Sequence, residues 1–392
     1  MFRFLTAGES HGPLMTTIIE GLPAGLTVVA ADINADLARR QGGYGRGARQ
    51  KIETDSVEIT AGVRFGKTLG SPVTLSVRNR DWMNWSGRMQ IEPLDKHVQP
   101  IPAVTIPRPG HADFVGMRKY NHDDLRNVLE RSSARNTATL VAVGGVARAF
   151  LRTFGIDVVS HIVQIGSVKS DYSGELTASA VREKAAESLV SCICQIASAE
   201  MITLIDSAKR RGDTLGGVFE VVVFGLPIGL GSYVHWDERI DGRIGQAILS
   251  INAVKGVEIG LGFGVAALPG SQVHDEFSVD DTGHVLRPSN RAGGTEGGIT
   301  NGQPLVVRGA MKPIATLMRQ LGSVNLQTGQ AAPAFAERSD VCAVPAAGVI
   351  AEAMVAIVLM EAFLEKFGGD SMAEIQRNYD AYIAAPFGAV VA

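Results

Sequence analysis

Apolar residues recur along this chain in two rhythms. Short alternating or continuous β-branched stretches predict strands at TTIIEGL (16–22), SVEITAGV (56–63), SPVTLSVRN (71–79), GGVFEVVVFGL (216–226) and GQPLVVRGAM (302–311). Helical spacing of apolar residues covers 32–41, 124–155, 177–213, 237–256 and 348–367, with Asp32 placed to cap the first helix and Gly368 to end the last. The strands arrive in clusters separated by long helices, without strict βαβ alternation. That order predicts an α+β fold rather than a doubly wound parallel sheet, and the gap between clusters allows two sheets. No linker or fixed-period repeat interrupts the sequence, so residues 1–392 read as a single domain.

One apolar run, VCAVPAAGVIAEAMVAIVLM (341–360), is long enough to cross a membrane. It carries Pro345 and Glu352, and a charge in mid-span is costly in lipid, so a helix buried in a large core is expected. The first residues reach Glu9 and His11 before any apolar stretch of signal length, which argues against an export signal. Three cysteines (Cys192, Cys194, Cys342) make no disulfide framework and lack zinc spacing, consistent with a reduced, cytoplasmic protein. A net charge of −3 argues against general nucleic-acid binding, so any basic site must be local. The 45 glycines are more than average usage of roughly 7% provides, and imply many positions of positive φ or close approach.

Five motifs carry candidate chemistry. In DINADLARRQGGYGRGARQK (32–51), Ile33, Leu37 and Arg40 share one helical face and Arg39 points elsewhere. An arginine on an apolar stripe needs an anion, and the glycine-rich loop can bring Arg46 and Arg49 beside it. The competing reading is a solvated basic loop or an RNA contact over 39–51, for which interleaved aromatics are nearly absent. AGESHG (7–12) fits a serine nucleophile elbow at Ser10 only weakly, since no strand–turn–helix context surrounds it; His11, in a glycine-flanked turn, is the stronger candidate. IPRPGHAD (106–113) stiffens the backbone around His111, a pre-positioned acid or base; His111 and Asp113 lack the second pair a metal site needs. In LERSSARNTATLVA (129–142), Ser133 can cap the following helical stretch and form an anion site with Arg135. The run SNRAGGTEGGITNGQP (289–304) suits a backbone that approaches a flat or phosphorylated ligand, and is followed by Lys312, Thr316, Arg338 and Asp340. Gly262-x-Gly264-x-x-Ala267 imitates a dinucleotide fingerprint without its context.

Taken together, GESHG, RR-x-x-GYGRGAR, RPGHAD, ERSSAR-x-T, NRAGG-x-EGG-x-TNGQP, MKPI-x-T and RSDVCAVPA-x-G resemble the blocks of the chorismate synthase family along nearly the whole chain. The resemblance implies an α+β fold with helices sandwiched between antiparallel sheets, and a homotetramer. It implies a carbon–oxygen lyase that uses reduced FMN to eliminate phosphate from 5-enolpyruvylshikimate 3-phosphate. His11, Arg40, Arg46, Arg49, Arg135 and Arg338 would line the substrate pocket. FMN would contact His111, Ser133, Ala134, Arg135, Asn252, Ala253, Gly297, Lys312, Pro313, Ile314, Ala315, Thr316, Arg338 and Asp340. Asn252 stands where other members often have glutamine. Arg40 and Arg46 are also candidates for NADPH phosphates, although no separate dinucleotide domain is evident and an external flavin reductase is the other source. No metal, nucleic acid or membrane partner is implied.

The residue chemistry agrees with these implications. Two carboxylates and a phosphate call for converging arginines, whose planar guanidinium groups fit both. His11 would protonate the departing phosphate, His111 would hold a proton near the flavin N1 side, and Asp340 would assist proton removal through N5.

Overall fold

The computed structural model describes residues 1–47, 54–93, 101–172, 176–281, 285–335 and 339–385. Arg49, Lys51 and Arg338 lie outside them.

The first sheet holds β1 (Arg3–Ala7), β2 (Leu14–Glu20), β3 (Val57–Ala61) and β4 (Val73–Arg78), in the order β1-β2-β4-β3 and antiparallel throughout. Its inner face follows the two-residue period of a strand: Met15, Thr17 and Ile19 on β2, and Val73, Leu75 and Val77 on β4, are buried. Against that face pack α1 (Ala30–Gln41) and α4 (Thr137–Thr153), while α2 (Asp113–Tyr120) and α3 (Arg126–Ser132) pack on each other between β4 and α4 in sequence. The second sheet comprises β5 (Asp157–Ile165), β6 (Val168–Lys169), β7 (Gly217–Phe224), β8 (Val254–Ile259) and β9 (Leu305–Met311), ordered β8-β9-β7-β5-β6 and also antiparallel. Between β6 and β7 come α5 (Ala178–Glu187) and α6 (Gln195–Arg210); α7 (Ile240–Leu249) precedes β8; α8 (Val344–Phe367) and α9 (Met372–Ala384) close the fold.

Helix α8 is the centre of the sandwich. It packs on α4 and α1 toward the first sheet and on β5 and β7 toward the second. It is therefore apolar on almost every side, which is how a soluble core helix comes to satisfy the length and hydropathy of a membrane span; 83% of that window is buried. Glycine lets α4 come close. A Cβ at Gly144 would stand 2.2 Å from the Cβ of Ala353 on α8, and one at Gly145 would stand 3.0 Å from Ile33 on α1. The far face of the second sheet is covered in turn by α5, where Val181 meets Val159 and Val222. Strands β5 and β7 are thus buried on both faces, which explains the nearly continuous apolar run of β7.

Several sequence expectations need correction. Asp32 is not a cap: α1 begins at Ala30 after Val29, placing Asp32 in the first turn, where its charge suits the helix dipole. The run 124–155 is broken at Ser133, whose backbone is extended (φ −61°, ψ 141°), and 177–213 is broken by residues 188–194. In 237–256 the helix stops at Leu249 and β8 takes over at Val254. Strand β5 escaped notice because Ser160 and His161 interrupt its apolar pattern. Both find carboxylate partners, the buried Glu352 at 2.7 Å and the half-buried Glu220 at 3.0 Å.

Candidate active site

Helix α3 and the turn after it organise the site. Ser133 Oγ accepts from the Arg135 backbone N–H at 3.3 Å and starts the turn Ala134–Asn136, as the ERSSAR motif suggested. Three residues earlier, Glu130 reaches back to the His11 loop. It accepts from the His11 backbone N–H at 2.8 Å and pairs with ring Nδ1 at 2.9 Å. Trp85 stacks on the same imidazole, centroids 3.7 Å apart. His11 Nε2 is buried and has no hydrogen-bond partner among the described residues. Burial works against charge on Glu130, but the hydrogen bonds and charge of His11, with Arg126 nearby, outweigh it and hold the carboxyl below its ordinary range.

Arg40 lies on the buried face of α1, as its spacing with Ile33 and Leu37 predicted. Its guanidinium donates to Thr137 Oγ1 at 2.8 Å and to the Ala134 carbonyl at 2.9 Å, and pairs with Asp55 at 3.2 Å. Arg135 reaches the other oxygen of Asp55 at 3.1 Å. One carboxylate therefore holds two arginines together. Arg46 pairs with Asp340 at 2.8 Å, and Asp340 also accepts from the Gly47 N–H at 2.6 Å. The glycine loop is zipped to this segment by the Val341 N–H, which donates to the Gly45 carbonyl at 2.7 Å.

His111 is held by Asp113, against which its Nδ1 makes a short contact, and Arg108 donates to the same carboxylate at 3.0 Å. Burial opposes ionisation of Asp113, yet the His111 and Arg108 hydrogen bonds and the Arg108 charge bring it down to about 2. The loop then docks on the Lys312–Thr316 segment: Arg108 donates to Thr316 Oγ1 at 3.1 Å and Lys312 Nζ to the Gly110 carbonyl at 2.5 Å. From Lys312 the contacts continue, its N–H donating to the Ala253 carbonyl at 2.9 Å and Asn252 to the Ser132 carbonyl at 3.0 Å. Ser133, Ala134, Arg135, Asn252, Ala253, Lys312 and His111 thus belong to one connected wall.

Gly297 is the exception. It turns a hairpin whose Gly298 carbonyl accepts from Ile240 at the start of α7, whereas Asn252 follows the far end of that ten-residue helix. That separates them by about 15 Å, the length of such a helix. The chain by itself does not bring Gly297 to the other candidates. Sequence reasoning missed Glu130, Trp85, Asp55 and Arg108. Glu130 and Arg108 sit inside quoted motifs, but nothing local marked them as partners of histidines. Ser10, the candidate of the hydrolase reading, is 4% exposed and wedged by its backbone against Glu130, so it offers no nucleophile. Arg40 and Arg46 are tied into ion pairs rather than presented as a solvated basic strip.

Fold and site define an α+β protein with buried, carboxylate-paired arginines and two carboxylate-paired histidines, His11 and His111. A sequence model of the chorismate synthase family matches residues 2–364. The chain is 57% identical to the chorismate synthase of Geobacter metallireducens over 391 residues, covering 98% of both. It is 53% identical to that of Enterococcus faecalis, covering 97% of this chain and 98% of the relative. A crystal structure of chorismate synthase superposes with a TM-score of 0.78 at 45% identity, covering 97% of each chain. The chain belongs to the chorismate synthase family, and its activity is that of a carbon–oxygen lyase that eliminates phosphate from 5-enolpyruvylshikimate 3-phosphate to give chorismate in the shikimate pathway.

Proposed function

We propose that this elimination runs with reduced FMN held along the wall from Ser133 to Thr316, with the substrate against Arg40, Arg46, Arg49, Arg135 and Arg338. The observation that carries the reading is the unbroken line of contacts joining Ser132 to Asn252, Ala253 to Lys312, and Lys312 to the Gly110–His111 loop. Its donors suit a flat, phosphorylated group: a lysine, the N–H groups of a 3₁₀ turn, and a glycine cradle. At Gly110 (φ +79°) an added Cβ would come 3.5 Å from Lys312 Nζ and 3.8 Å from Ala315, narrowing the space between loop and wall.

When bound, reduced flavin supplies transient electron density to a reaction without net redox change. The chain's residues bind, orient and move protons. Arg40 and Arg135 hold carboxylate or phosphate groups of the substrate while Asp55 sets their spacing. His11 protonates the leaving phosphate from Nε2. His111, fixed by Asp113, holds a proton beside the flavin, and Asp340, oriented by Arg46 and Gly47, assists removal of the C6 proton. Arg40 and Arg46 are also the candidate contacts for NADPH phosphates; an external flavin reductase is the alternative source of reduced flavin. Residues 1–392 form one catalytic domain in this reading, supported by a core cluster drawing on both sheets. Cytoplasmic location fits three free cysteines, and a homotetramer fits the exposed Leu5 and Ile18 on the outer face of the first sheet.

Anaerobic protein with reduced FMN is expected to convert the phosphorylated substrate into chorismate, seen by its ultraviolet absorbance, with one phosphate released per turnover. Equal turnover without flavin would overturn the cofactor assignment.

A further inference from the structure

Glu130 spends its carboxylate almost entirely on one residue. Oε2 accepts the His11 backbone N–H at 2.8 Å, while ring Nδ1 lies 2.9 Å from Oε1 and 3.0 Å from Oε2. The Glu130 carbonyl also accepts from the Ser10 N–H at 3.0 Å, so helix α3 grips the loop at two successive residues. Trp85 covers the ring face at 3.7 Å and leaves little room for the imidazole to turn. The remaining nitrogen, Nε2, is buried and without a hydrogen-bond partner among the described residues.

We infer that Glu130 is a positioning residue for proton transfer at His11: by accepting from Nδ1–H it fixes the ring and leaves Nε2 as the nitrogen that exchanges a proton with the ligand. The inference rests on the proposed function for the ligand's identity, whereas the tautomer is a property of the free protein. A neutral imidazole carries one N–H, and the hydrogen bond made by one nitrogen decides the state of the other. An ionised carboxylate can only accept, so the nitrogen facing it must carry hydrogen. To act as the acid, the ring first takes a proton from solvent on Nε2 and becomes an imidazolium. In the step itself the Nε2–H bond breaks, an O–H bond forms on the departing phosphate, and the neutral ring keeps Nδ1–H against Glu130, which stays ionised. The wall over His11 suits that anion. Arg126 and Arg88 lie 5.4 and 5.6 Å from the Trp85 ring centre, so the aromatic surface is backed by positive charge.

The test begins with the full-length wild-type chain, ¹⁵N-labelled at histidine, without ligand. Long-range ¹H–¹⁵N correlation is expected to show hydrogen on His11 Nδ1 near neutral pH; a bare Nδ1 with hydrogen on Nε2 would overturn the proposal. Activity then separates positioning from an independent role. Glu130→Gln should lower kcat within the range of about 10²–10⁴-fold set by general acid catalysis, with little change in KM. The double variant His11→Ala/Glu130→Gln should lose no more than His11→Ala alone. Losses that multiply would show that Glu130 acts by itself. A wild-type protein that makes no chorismate yet carries the Nδ1–H ring would overturn the reaction assignment and uphold the role of Glu130.

Discussion

Arg39 and Glu352 meet in a two-pronged ion pair, at 2.6 and 2.8 Å, across 313 residues of sequence. Glu352 is the carboxylate in the middle of α8 and is fully buried. Arg148 joins it at 3.1 Å and Asp36 at 2.6 Å, while Ser160 donates to Glu352 at 2.7 Å. The network ties α1, α4, α8 and β5 together. Because α1 is locked through Arg39, the next residue, Arg40, is turned into the site.

Removing one partner should therefore be severe. Glu352→Ala is expected to destabilise the fold by about 3–5 kcal/mol, since Arg39 and Arg148 would be left to share the single carboxylate of Asp36. A fall in the urea midpoint at unchanged m-value is the readout; stability within 1 kcal/mol of wild type would contradict it. Burial opposes the charge on Glu352, but Arg39 and Arg148 outweigh it and keep the carboxyl below its ordinary value. Its contribution is thus fully present at neutral pH and disappears as pH falls below the usual carboxylate range.

The crossing of α4 and α8 leaves no room at Gly144. Gly144→Val is expected to force the helices apart, with a loss of about 3 kcal/mol or more, because even a Cβ would overlap Ala353. Thermal unfolding of the purified variant tests this. Gly155→Ala gives a contrast: no atom lies within 4 Å of its added Cβ, but φ is +73°, so any loss there reports backbone strain alone.

The three proposed proton-handling groups should fail differently. His11→Ala should bind both ligands and turn over slowly, with a defect that shrinks for a leaving group needing less protonation. His111→Ala should alter the absorbance spectrum of the bound reduced flavin. Asp340→Asn should enlarge the isotope effect of deuterium at C6. Reductions of about 10²–10⁴-fold in kcat are the scale expected, and near-normal turnover in all three variants would sink the roles assigned to them.

Asp113 offers a pH signature. Its folded pKa of about 2 lies below the ordinary aspartate value of 3.8, so the stability it contributes is complete above the higher value and is lost as pH falls toward the lower. Asp113→Asn should flatten the pH dependence of the urea midpoint between pH ~4 and ~2. It should also release His111, so that the imidazole ring loses its fixed tautomer in histidine NMR.

Much of this protein was legible along the chain because its signals are local. Two-residue alternation marked β2 and β4, and helical spacing placed Arg40 on the buried face of α1. Ser133 was recognisable as a cap because capping involves only the next few residues. The seven motif blocks identified the family, since their order and residue types survive without any knowledge of distance.

What the tertiary structure alone decided are the pairings. Nothing near His11 in sequence announces that Glu130, 119 residues away, takes its Nδ1, nor that Trp85 covers its ring. The charge in α8 was readable as an argument against a membrane span, but its partners became visible only when α1 and α4 packed against it. The break at 188–194 likewise follows from the route the chain takes over the second sheet, where the Ile162 N–H donates to the Ser191 carbonyl. Propensity and spacing act over a turn or a pleat, whereas a buried charge must be neutralised by whatever the folded chain brings within 3–4 Å. Sequence therefore identified the groups that do chemistry, and packing chose which of them face each other.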